Sequence, residues 1–173
     1  MSLAESLDQL VRQHDAIGSP LRQQLSPGIA RNETASRLST IGLAAPEELL
    51  DLFEWGGYRP LPDRVAWFWP AIPYSLDEAI DTYRTAMQIG GITNEEFEGL
   101  DGSDPASTFT GFWREDWFPI LQGSPEQYAV ACSPPPGADR ASVWRQNWHP
   151  DPGFETVEVA PSLTSLIDWI LDL

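Results

Sequence analysis

Lysine is missing from this chain. All ten basic residues are arginines, set against 26 aspartates and glutamates, for a formal charge of −16. A surface so charged repels phosphate backbones and anionic lipid headgroups, which takes nucleic acid and membranes out of the expected partners. It attracts a basic protein and speeds the encounter by long-range steering, although solubility alone is a plainer use of the same charge. Cysteine is nearly absent too. Cys132 stands alone, so no intrachain disulfide can form and no zinc cluster can be built on paired thiolates. No apolar run approaches the roughly 18 residues of a membrane span. No apolar leader core follows the N-terminus, where Glu5 and Asp8 precede the first arginine. The expectation is a cytoplasmic protein.

The motifs of several chemistries are also lacking. The chain contains no GxSxG, HExxH, P-loop or EF-hand pattern, so the reading is of a non-enzyme with no catalytic residues, no cofactor and no metal site. Cys132 and His149 are the one pair that hairpins could bring together as a Cys/His couple. Against that, Tyr128-Ala129-Val130-Ala131-Cys132 reads as a buried strand in which the cysteine is a small core residue. His14 falls near the end of a helix, where a cation needs no further role.

What is present suffices for a core. A chain of 173 residues, 42% of them hydrophobic and eight of them Trp, can bury roughly 70% of its unfolded surface as one domain. Leu3, Leu7, Leu10 and Val11 share one face of a first helix that stops at Gly18-Ser19-Pro20. A weaker helix is expected over residues 34–41. Pro46 then opens a third, with Glu47 and Glu48 at its positive end and Leu49, Leu52 and Phe53 on one face. Gly56-Gly57 is expected to end it with a left-handed cap. Val65 to Trp69 is apolar on both alternating faces and predicts an interior strand, placing Trp67 and Trp69 in the core. Ser75-Leu76-Asp77-Glu78 has the form of a capping box and starts a strong helix that runs to Gly90-Gly91. Later strands are predicted at 118–121, 128–133, 142–145 and 155–159, with turns at 134–137 and 150–153. A last helix, capped by Ser162, buries Leu163, Leu166, Ile167, Ile170 and Leu171. The order predicts an α+β domain with a mixed, mainly antiparallel sheet flanked by helices.

Three segments carry a likeness to a known family. The first, Ile41-Gly42-Leu43-Ala44-Ala45-Pro46 through Phe53-Glu54-Trp55-Gly56-Gly57, pairs a Gly turn with a Pro-started helix and closing glycines. The second is Ser75-Leu76-Asp77-Glu78-Ala79. The third runs from Trp117-Phe118-Pro119-Ile120 through Tyr128-Ala129-Val130 and Ser142-Val143 to Val159-Ala160-Pro161-Ser162-Leu163. In this order they resemble the SUKH superfamily, named for a fungal cell-wall-assembly regulator and bacterial immunity proteins. The likeness spans residues 36–173, with residues 1–35 as an N-terminal helical extension. It implies a SUKH-type binding domain whose bacterial members neutralise polymorphic toxins, often nucleases, by direct association. The expected partner is therefore a basic protein, a toxin domain. A regulatory or scaffold domain that binds a resident partner and has no toxin is the alternative.

From Gly91 to Asp116 seven acids face one base, Arg114, the densest charge run in the chain. Glu95, Glu96, Glu98, Asp101, Asp104, Glu115 and Asp116, with Trp113 and Trp117 as aromatic anchors, are the expected partner-facing residues. The same run also reads as a solvated loop, and less well as a metal site. Trp144 and Trp148, which flank Arg145-Gln146-Asn147, are further aromatic candidates beside their plainer role as core.

Overall fold

In the computed structural model, residues 1–58, 65–68, 71–93, 95, 113–123, 126–133, 140–147 and 156–173 are described. Helices α1 (Leu3–Ala16), α2 (Leu21–Gln24), α3 (Arg31–Ser39) and α4 (Glu47–Trp55) fill the first third, with the short strands β1 (Leu25–Ser26) and β2 (Gly57–Tyr58) paired antiparallel beside them. Then follow β3 (Ile72–Pro73), α5 (Leu76–Gly90), β4 (Gly91–Ile92), β5 (Trp113–Arg114), β6 (Trp117–Gln122), β7 (Glu126–Ala131), β8 (Val143–Asn147), β9 (Val157–Ala160) and α6 (Leu163–Leu171). The class is α+β. The main sheet has the order β3-β6-β7-β8-β9, antiparallel throughout, and β6 to β9 form a simple meander.

The sheet is buried on both sides at its centre, because β6 and β7 are apolar on both alternating faces. Register puts Trp117, Ala129 and Trp144 on one face and Phe118, Val130 and Val143 on the other. Over the first face lies α5, against β6. Covering the second are α4, whose Phe53 meets Phe118 edge to face at 6.2 Å, and α6, whose Leu166 and Trp169 border Tyr128. Pro119 has no amide hydrogen for the ladder, and the β6–β7 register shifts immediately after it, a bulge of the kind that accommodates proline within a sheet.

The helices start where their local chemistry directs. Ser75 and Glu78 make the expected capping box for α5, and Ser162 caps α6 by accepting from the Ser165 amide. A second capping box, Ser2 with Glu5, starts α1. Gly42, at φ +83°, ends α3 while the Leu43 amide donates back to the Leu38 carbonyl.

Two expectations need correction. The glycine pair after α4 makes no left-handed cap: Gly56 is extended, at φ −172°, and Gly57 enters β2. Residues 65–68 form no interior strand. Phe68 bridges to Ala71 in a tight reversal, and the rings pack one by one, Trp67 on Tyr58 at 5.8 Å and Phe68 on Tyr128 at 5.6 Å. Trp67 is core, as expected, while Trp69 lies outside the described residues. The N-terminal helical extension packs into the domain that follows it. Leu3, Leu7, Leu10 and Val11 belong to the same core as the sheet, and α1 packs on α6 and α4. Polar ties reinforce that packing: Ser6 Oγ donates to Asp168 at 2.6 Å, and Trp55 Nε1 donates to Asp8 at 2.8 Å.

Glu48 joins α4 to the last helix. Its carboxylate accepts from the Leu163 amide at 3.0 Å, the Thr164 amide at 3.4 Å and the Thr164 hydroxyl. Amides at a helix start have no partner within the helix, and the positive end of the helix favours an anion there. Glu48→Ala removes this cap, and about 1–2 kcal/mol of stability should go with it. Urea unfolding of the two proteins measures the difference, and an unchanged midpoint at equal slope contradicts the role given to Glu48.

Candidate partner-binding site

The acidic run begins and ends at one place. Strand β4 leaves α5 and runs parallel to β5, pairing Gly91 with Trp113 and Ile92 with Arg114. The Glu115 amide then donates to the Ile92 carbonyl at 2.9 Å, and Tyr83 Oη of α5 donates to the Glu115 carbonyl at 2.7 Å. The residues that flank the interval 93–112, Ile92 and Trp113, are thus held side by side. That interval carries five carboxylates and no basic residue.

Trp113 makes this clamp rigid by entering the core. Its ring is fully buried, Nε1 donates to the Trp117 carbonyl at 3.0 Å, and it meets the Trp117 ring edge to face at 6.0 Å. Trp117 in turn stacks on Trp144 at 5.4 Å. Here the expectation of two aromatic anchors facing a partner is corrected. Each such ring buries on the order of 150–250 Å², and beneath α5 on the sheet both are spent on packing. Trp144 is half-buried at the outer end of the same stack.

The carboxylates divide in the same way. Glu95 is exposed, as a landing residue must be, and Glu115 is half-buried. Glu96, Glu98, Asp101 and Asp104 lie outside the described residues. Asp116 is corrected from a surface acid to an interior one. It is 2% exposed and forms an ion pair with Arg114 at 2.7 Å. Burial pushes its carboxyl above the usual range, and Arg114 opposes that rise. Its ion-pair partner lies within the fold.

Other candidates resolve plainly. Cys132 is buried at the end of the β7 segment. Burial, helped by the Asp116 carboxylate, pushes its thiol up, which makes it a poor nucleophile. Its conceivable partner His149, like Trp148, falls outside the described residues. His14 joins the end of α1 to the chain beyond it, with Nδ1 2.9 Å from Ser19 Oγ and Nε2 3.2 Å from the Trp67 carbonyl. No cluster of three or more His, Cys, Asp or Glu arranged for a metal occurs among the described residues.

A different tryptophan is exposed. Trp169 of α6 keeps 52% of its surface in contact with solvent. Its signal was available in the chain: α6 buries Leu163, Leu166, Ile167 and Ile170 at helical spacing, and Trp169 falls off that stripe beside Asp168. A large aromatic on the polar side of an amphipathic helix is the feature to look for.

Asp116 yields a pH dependence. Because its folded pKa is raised, its contribution favours the fold below the unfolded value near 4 and is lost as pH rises through the folded value. The neutral Asp116→Asn protein lacks that loss. Its stability relative to the parent should therefore rise between pH of about 4 and 7. Urea midpoints across that range test this, and a difference that does not change with pH refutes it.

No family model matches the chain and no curated protein matches it, which leaves the likeness to SUKH domains one of sequence pattern.

Proposed function

We propose that the chain is a binding protein that inhibits a basic partner by direct association, in the manner of SUKH immunity proteins that neutralise toxins, and that it has no turnover chemistry of its own. One observation carries the reading: an interval of five carboxylates without a base whose two ends are pinned together by β4, β5 and the buried Trp113. A segment whose flanking residues are already held together has less chain entropy to lose when a partner meets it. Net charge of −16 without lysine adds a field that draws a cationic protein in and turns away nucleic acid. Glu95, Glu96, Glu98, Asp101 and Asp104 make the first electrostatic contacts. A toxin domain encoded beside this gene is the partner to test, and cytoplasmic residence suits a protein that protects the cell producing that toxin.

Steering charges act on encounter, so the test is kinetic. Reversing Glu95, Glu96 and Glu98 to Lys should lower the association rate with the neighbouring toxin domain by about tenfold at low salt and flatten its salt dependence, with little change in dissociation. Stopped-flow association at several ionic strengths measures both quantities. Rates that match the parent at every salt concentration reduce the acidic run to a solvated loop and remove the basis of the proposal.

A further inference from the structure

We infer that an apolar strip at the C-terminal ends of α1 and α6, bordered by the outer strand β9, is the docking surface for a basic amphipathic segment of the partner. The inference rests on the functional reading above and supplies the anchor that Trp113 and Trp117 do not. Six large apolar side chains are exposed among the described residues, and four of them, Ile17, Val159, Trp169 and Leu173, border two adjacent recesses. Exposed apolar side chains gathered in this way mark interaction surfaces, whereas scattered ones do not.

The two recesses share a wall. One, of about 610 Å³, lies between the end of α1 and the end of α6 and reaches down to Leu10 and Trp67. The other, of about 330 Å³, lies beneath Trp169 and is floored by Tyr128 and Leu166. Phe68 stands between them, edge to face with Trp169 at 5.7 Å and with Tyr128 at 5.6 Å. A partner that sets one apolar side chain in each recess would enclose Trp169 from both sides. Interface tryptophans that dominate binding energy sit in such settings.

Charge selects the occupant. Of the acids next in the chain to the lining residues, Asp15 pairs with Arg22 at 2.6 Å and Asp168 accepts from Ser6, while Glu158 and Asp172 are exposed; of the bases, Arg145 lies 3.4 Å from Glu126 and Arg12 adjoins the lining Gln13, so the balance stays negative. A second copy of this chain would bring the same acids and another −16 against them. The strand edge also resists self-pairing: Glu158 projects from β9, and the register shifts beside it at Val143/Trp144. A segment with lysines or arginines flanking two apolar side chains meets neither obstacle.

The probe is a fluorescein-labelled peptide of about 18 residues with leucines on one helical face and lysines on the other, and its control replaces lysine by glutamate. Anisotropy should show binding of the lysine peptide and none of the control. The double change Trp169→Ser, Val159→Ser should weaken binding by about tenfold or more, and Ile17→Ser, at a residue with few contacts to lose, should weaken it through the other recess. Ile89→Ser, an exposed apolar residue on α5, serves as the unaffected reference. If Glu95, Glu96 and Glu98 to Lys abolishes binding while the strip variants bind as the parent does, the strip is refuted and the acidic-run reading stands. No binding of the lysine peptide to the parent overturns both. A dimer in sedimentation that Trp169→Ser dissociates would give the surface to a second copy and overturn the basic occupant.

Discussion

Trp113, which follows the most acidic part of the chain, enters the core, and much of the molecule depends on that insertion. The buried indole fixes β5 against β4, β5 leads through the Arg114–Asp116 ion pair into β6, and β6 is the strand against which β3, β7 and α5 all pack. A large apolar ring supplies the favourable term, and the hydrogen bond from its Nε1 to the Trp117 carbonyl satisfies the polar atom that burial would otherwise strand. Without that ring the parallel pair is two residues on each side, too short to hold by itself.

The buried ion pair and the exposed acids do opposite work. Asp116 and Arg114 are drawn out of water, and at Asp116 the cost of desolvation exceeds what Arg114 returns. The exposed carboxylates keep their hydration and act at a distance, where their effect is on the rate of encounter. Arginines elsewhere tie carboxylates down locally: Arg31 is held by Asp51 and Glu47 and lies 3.7 Å from Glu54, and Arg37 pairs with Asp77. With ten basic residues against 26 acids in the chain, most of the negative field is left unopposed.

Elements with a strong local signal were legible in the chain. The capping residues Ser75 and Ser162, the helical stripes behind them and the bounded strands β6 to β9 all appear where their patterns placed them, to within a residue or two. Elements made by tertiary contact were not. β1, β2, β4 and β5 are two residues long, too short to carry a period, and exist because another segment lies alongside. The apolar stretch from Val65 to Trp69 reads as a strand because rings that fill separate holes in a core, as Trp67 and Phe68 do, look in sequence like a strand covered on both sides. At the site, the acids of 93–112 were legible from charge alone, but the burial of Trp113 and Trp117 was not, since tryptophan beside acids reads equally as anchor or as core. Trp169 is silent in the pattern because the apolar stripe of α6 is complete without it.

The division of the described tryptophans into packing residues and the exposed Trp169 is the claim on which the site assignment turns. Fluorine NMR of protein labelled with 5-fluorotryptophan, assigned by single Trp→Phe changes, reads the solvent exposure of each ring from its shift between light and heavy water. Trp169 should show a clear isotope shift, and Trp113 and Trp117 should show almost none. An isotope shift at Trp113 as large as that at Trp169 would mean that the ring is not in the core, and the clamp at the foot of the acidic run, with the site built on it, would be contradicted.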